Sequence, residues 1–339
     1  MRHTLTITKL LFLTFIGACL VFAQSKLTAQ DYYDQGMLHV KEERLNDAIT
    51  AFTKAIEMFP KAAEVYNSRG YVYAKQGRDD LAIIDYSKAI QIDARFETPY
   101  YNRGISHRKQ GSIDLALADF NKAIKLNPEY VFAYVHRGSL YEEQGKYDLA
   151  LTDYSAAIKV NPKYVKAYYD RGNVYRKQGR IDLSTTEFTT AIQIDPQYAI
   201  AYNNRGSNYF DQGKAGLAIA DYTAAIQIDP KYAQAYYNRG VVYGKQADYI
   251  SAAADYSKSI EIDPKYTDAY YNRGVSYFGQ GKNDLAIADY TRVTELDPKY
   301  AKAFSLRAYA YCVVGNKALA QNDEKFVIAL GGQLVKKCE

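Results

Sequence analysis

The residues able to do covalent or metal chemistry are few, and their spacing suits neither. The chain of 339 residues holds four histidines and three cysteines. His3 and Cys19 fall in an apolar leader, His39 and His107 occupy places where tyrosine otherwise recurs, and His136 stands apart from both. No cysteine pair has metal-ligand spacing, no glycine-rich phosphate loop appears, and the recurring Asp-Pro pairs read as helix stops rather than carboxylate dyads. The sequence therefore predicts no catalytic residue, no metal and no cofactor. Arginine, carboxylate and tyrosine, the side chains of recognition, recur in strict register instead.

Arginine followed by a small residue stands at Arg69, Arg103, Arg137, Arg171, Arg205, Arg239, Arg273 and Arg307, always 34 residues apart. An acid follows each one 16 residues later, giving the pairs Arg69-Asp85, Arg103-Asp119, Arg137-Asp153, Arg171-Glu187, Arg205-Asp221, Arg239-Asp255, Arg273-Asp289 and Arg307-Asp323. Where the arginine is missing, at Gln35, the acid is missing too, at Ala51. Partners that appear and vanish together imply a structural ion pair inside each repeat, because guanidinium offers a planar fork matched to a carboxylate. The competing expectation is a ladder of unpaired arginines gripping an acidic ligand.

The elements that must position these pairs follow from the same period. Nine repeats run without insertion, at 29–62, 63–96, 97–130, 131–164, 165–198, 199–232, 233–266, 267–300 and 301–334, after a lead-in at 24–28 and before a tail at 335–339. In the repeat at 131–164, Tyr134, Gly138 and Tyr141 recur at helical spacing and predict one apolar face; Gly145 ends that helix. Asp148 is expected to cap a second helix, whose face is Ala150, Tyr154, Ala157 and Ile158 and whose stop is Pro162. All tyrosines except Tyr71, Tyr147, Tyr249 and Tyr309 fall at positions 4, 5, 11, 24 or 34 of the repeat, so the surplus of 35 tyrosines is a repeat property. At positions 4, 11, 24 and 34 they are expected to pack in the core.

The 34-residue period, with an aromatic at position 4, glycine at 8, tyrosine at 11, alanine at 20, an aromatic at 24 and proline at 32, resembles the tetratricopeptide-repeat (TPR) family. The resemblance implies an all-α, right-handed superhelical solenoid of antiparallel helix pairs, with the first helices lining a concave groove. Its ends should be polar, and the first and ninth repeats depart from the pattern, with Glu43 for the turn glycine, Ala308 for glycine and Glu324 for the aromatic. Carried over by position, groove contacts would fall at positions 2, 5, 9, 12 and 13. The candidates are Tyr33, Tyr101, Tyr169, Tyr237 and Tyr271 at position 5, with the basic pairs Arg108 and Lys109, and Arg176 and Lys177. The family's chaperone-tail clamp needs lysine at position 5 and arginine at position 6; neither occurs here, and Asn102, Asn204, Asn238 and Asn272 match one element only.

Arg2 and Lys9, then the apolar run Leu10 to Ala23, read as a signal peptide at 1–23, with an uncleaved anchor or a lipid on Cys19 as the other readings. The expected localisation is therefore exported: periplasmic or secreted, with membrane contact only through that anchor or lipid. Net charge is +5, falling to +3 without the signal, with no basic block, which argues against nucleic acid. Cys312 and Cys338 are too few for a disulfide framework. The expected function is a non-catalytic scaffold that binds a protein or peptide in an envelope assembly. A glycan-binding module and a self-assembling accessory factor are the alternatives, and the oligomeric state stays open.

Overall fold

A computed structural model describes residues 27–336. The signal segment, Cys19 and Cys338 lie outside the described residues. Cys312 is disulfide-bonded. The described chain is all-α, with eighteen helices forming nine antiparallel pairs.

Two compact units divide between Val160 and Asn161. The first holds α1 (Ala29–Lys41) and α2 (Leu45–Met58), α3 (Ala63–Lys75) and α4 (Asp79–Ile92), α5 (Glu97–Lys109) and α6 (Ile113–Leu126), and α7 (Val131–Glu143) and α8 (Tyr147–Val160). The second holds α9 (Val165–Lys177) and α10 (Ile181–Ile194), α11 (Ala199–Asp211) and α12 (Ala215–Ile228), α13 (Ala233–Lys245) and α14 (Tyr249–Ile262), α15 (Thr267–Gly279) and α16 (Asn283–Leu296), and α17 (Ala301–Val313) and α18 (Lys317–Ala329). Among the described residues no helix is long and apolar enough to cross a membrane.

Each first helix stops because the chain enters the left-handed region, which glycine reaches without a Cβ clash. Gly145 does so with φ 72°. Two repeats lack the glycine and make the same turn with Glu43 at φ 59° and Ala247 at φ 60°. Most second helices stop on an extended residue before proline, as at Asp195 with φ −130° ahead of Pro196, whereas α4 stops at Asp93 ahead of Ala94 and α18 runs into Gly331. Asp148 does not cap its helix. It lies within the first turn of α8, where its charge favours the helix N-terminus.

Packing inside a pair brings glycine at position 8 against the ring at position 24. A Cβ on Gly138 or Gly172 would sit 2.8 Å from the ring of Tyr154 or Phe188. Those rings are fully buried, as are Phe52, Phe120 and the alanines at position 20. Each such ring contributes roughly 2–3 kcal/mol by its burial. The ninth repeat, with Glu324 in place of the ring, has room for Ala308.

Successive pairs join through positions that the sequence pattern did not single out. Leu140 packs on Ala116 and Phe120 of the preceding pair, and Val242 on Ala218 and Tyr222. Both stand at position 10, and the alanines at position 3, two turns away on the same face, are equally buried. The first helix therefore buries positions 3, 8 and 10, while the tyrosines at 4 and 11 are mostly half-buried beside the ion pairs. The polar-cap expectation is only partly met. Ile328 of α18 is 67% exposed, whereas its counterparts Ile192, Ile226 and Ile260 are covered by the following pair.

Candidate functional site

In the eight repeats that carry it, the arginine sits between the repeat's two helices. Arg205 donates from Nε to Asp221 Oδ2 and from Nη2 to Oδ1, both at 2.8 Å. The same side-on fork joins Arg69 to Asp85, Arg103 to Asp119, Arg137 to Asp153, Arg239 to Asp255, Arg273 to Asp289 and Arg307 to Asp323. Glutamate, one methylene longer, changes the grip: one nitrogen of Arg171, Nη2, donates to both oxygens of Glu187, at 2.8 and 2.9 Å.

Two further contacts complete the arginine's surroundings. The third nitrogen, Nη1, donates to a side chain at position 25 of the preceding repeat: Arg69 to Thr53, Arg103 to Ser87, Arg239 to Thr223 and Arg273 to Ser257, at 2.9 to 3.0 Å. Tyrosines at positions 4 and 11 lie over the guanidinium, as Tyr202 and Tyr209 do at 5.6 and 5.8 Å from Arg205. The ladder is thus committed to the frame rather than offered to an acidic ligand.

The position-25 partner was missed in the sequence. Its signal is plain in retrospect: threonine, serine or asparagine stands there in every repeat that precedes an arginine, and Lys325 stands there in the ninth.

The charges of the pair do not respond alike. Asp153 and Asp289 are pushed up because burial outweighs their arginine partners. Arg205 and Arg239 are raised by the hydrogen bond each makes to its acid. In each pair the cost of burying two charges offsets part of what their hydrogen bonds contribute.

The tyrosines expected to face a ligand at position 5 lie half-buried in aromatic clusters. Tyr237 has its ring centroid 5.7 Å from Tyr256 and 4.8 Å from Tyr266; Tyr271 stands 6.2 Å from Tyr290 and 5.3 Å from Tyr300. Tyr169 meets Phe188 and Tyr198, Tyr101 meets Phe120 and Tyr130, and Tyr33 meets Phe52. Burial pushes Tyr130 up to about 12. These rings therefore form much of the floor of the face.

Where asparagine stands at position 6, it ties its repeat's floor to the preceding one within the same unit. Asn102 donates to Asn67 at 3.0 Å, Asn238 to Asn203 at 2.9 Å, and Asn272 to the Tyr237 hydroxyl at 3.0 Å. The basic pairs are also engaged. Arg176 donates to Asp211 at 2.7 Å, Arg108 pairs with Glu143, Lys177 has a partner as well, and Lys109 lies a looser 3.7 Å from Asp79.

Exposed apolar side chains on this face stand at positions 9 and 2: Met37, Tyr71, Phe132 and Val275. In the first unit a cavity of about 360 Å³ opens between α3, α5 and α7, lined by Tyr71, Lys75, Tyr101, Ile105, Lys109 and His136 among others. A separate apolar row, unnoticed in the sequence, runs along the second helices at position 19, with Leu115 and Leu149 in one unit and Leu183, Leu217 and Leu285 in the other. Of the position-11 histidines, His107 is held below its ordinary value by burial, with Asp119 3.8 Å away opposing that shift. Among the described residues no group of side chains is placed to hold a metal ion.

Family models described as tetratricopeptide repeat match residues 33–95, 99–130, 120–152, 233–266 and 267–300. One described as TPR repeat matches 138–179, 172–213 and 206–246. Among solved structures, a tetratricopeptide repeat protein from Parabacteroides merdae is 24% identical with a TM-score of 0.55, covering 73% of this chain and 98% of its own. The C-terminal part of a TPR repeat-containing protein from Cytophaga hutchinsonii is 20% identical with a TM-score of 0.58, covering 71% and 98%. At these identities the likeness is one of fold. Comparison with curated proteins finds no match.

Proposed function

Because the chain belongs to the tetratricopeptide-repeat family, we propose that it is an exported, non-catalytic scaffold holding a protein or peptide partner against the first-helix face of its repeats, in a cell-envelope assembly. Domains of this family bind protein or peptide partners, and the family matches include no catalytic domain. The observation that carries the reading is the contrast on that face. Its arginines, asparagines and position-5 tyrosines are consumed by internal contacts, while Met37, Tyr71, Phe132 and Val275 stay exposed on a floor those contacts hold rigid. A rigid floor lowers the entropy lost on binding, and exposed aromatic and aliphatic groups on it supply the contact area. Export rests on the apolar run from Leu10 to Ala23 behind Arg2 and Lys9.

The test is a crosslinking pull-down from the envelope fraction, comparing the wild-type chain with a Tyr71→Ala, Val275→Ala variant. These two side chains are exposed, so the variant keeps the frame. Loss of the captured protein from the variant supports the reading. Undiminished capture moves the contact to the leucine row on the second helices.

A further inference from the structure

We infer that the cavity between α3, α5 and α7 is a binding site for an extended acidic peptide segment, one that places a bulky apolar side chain next to carboxylates; this rests on the scaffold reading above. The cavity's volume of about 360 Å³ is at the lower end of the range of roughly 300–1,000 Å³ typical of ligand pockets. It suits one large side chain with adjoining backbone. Tyr71, Tyr101 and Ile105 supply the apolar wall.

Charge sets the rest of the specificity. The lining includes two lysines, Lys75 and Lys109, and no carboxylate. Their internal partners hold them loosely: Lys75 Nζ is 3.4 Å from Glu43, which is itself well exposed, and Lys109 Nζ is 3.7 Å from Asp79. A charge-assisted bond closes to about 2.7–2.9 Å, and the arginine forks of this chain do so at 2.8 Å. Asp79 is further occupied by the Ser106 hydroxyl at 2.7 Å. Each lysine therefore has ammonium protons available to an incoming carboxylate. The ligand extends past the cavity because the same face continues to exposed Met37 on one side and exposed Phe132 on the other.

The test uses the full chain and three fluorescently labelled pentapeptides, followed by anisotropy. The first has phenylalanine between two aspartates, the second replaces the aspartates by lysines, and the third replaces the phenylalanine by alanine. The first should bind roughly tenfold tighter than the second, the ratio expected of two half-exposed ion pairs, and tighter than the third. Added salt should erode the preference over the lysine peptide. A Lys75→Gln, Lys109→Gln variant should lose it with a nearly unchanged melting temperature, since each change removes only a substantially exposed, loosely paired charge. Binding indifferent to either exchange, or no binding of any peptide at about 1 mM, overturns the inference. A partner still captured in the pull-down would then leave the scaffold reading standing without this specificity.

Discussion

Replacing Asp255 by alanine should remove about 3 kcal/mol of stability from the second unit. Asp255 and Arg239 have side chains 8% and 17% exposed, and two hydrogen bonds of 2.8 Å join them. Charge-assisted bonds of this kind contribute roughly 1.5–3 kcal/mol each, and removing one member of a buried pair costs about 3–5 kcal/mol because the other charge stays buried. Arginine cannot shed its proton to escape that penalty. The lower end applies because Arg239 keeps Thr223 at 2.9 Å and the ring of Tyr236 at 5.9 Å, and can turn its free edge to water. Urea unfolding followed by circular dichroism should show the midpoint falling by about 1 M, and a thermal scan a drop of about 6 °C. Hydrogen exchange should place the loss in α13 and α14, since repeat arrays destabilise locally. Replacing both partners, Arg239→Met with Asp255→Leu, should recover most of the loss. A cost under about 1 kcal/mol for the single change, the value of an exposed pair, would refute the claim that these forks are part of the buried frame.

Three other perturbations have outcomes set by local geometry. Ala247→Gly should stabilise by about 1 kcal/mol, read as a higher urea midpoint, because alanine is held at φ 60°. Gly240→Ala should cost about 1–3 kcal/mol by overpacking, since its Cβ would lie 2.9 Å from the buried ring of Tyr256; an unchanged midpoint would mean the ring yields. His107→Tyr should flatten the fall in melting temperature between pH 7.5 and 5.5. His107 is depressed below 6.5 mainly by burial, so the unfolded chain binds the extra proton first and stability falls as pH drops through that value. Arg103 and Asp119 are the charged groups facing it, the first lowering and the second raising its value.

Much of this architecture is legible in the sequence because it is written repeatedly. The 34-residue interval and the glycine and proline punctuation indicate paired helices, and a joint absence at Gln35 and Ala51 links arginine to acid without coordinates. What the sequence hid was which helix faces meet. Tyrosine at positions 4 and 11 looks like core by spacing, yet Leu140 and Val242 at position 10 fill the gap between pairs. The tyrosines of those other positions lie alongside guanidinium groups, where a phenol accepts partial exposure that a leucine would not. The asparagine ladder spans two repeats, so a pattern read within one repeat cannot show it. Position-5 tyrosines resemble ligand contacts by analogy, but the ring each meets at position 24, and in most repeats also at 34, belongs to the same repeat and takes up most of its face.

The central claim is that partners meet the first-helix face and not the second. The most direct measurement is site-specific photocrosslinking in intact cells that express the chain, with the photoreactive residue at position 71 in one variant and at position 217 in another. Both Tyr71 and Leu217 are about half exposed, so reactivity alone does not separate them. The account predicts a discrete adduct from position 71 and none from position 217. Adducts confined to position 217, or absent from both, would contradict it.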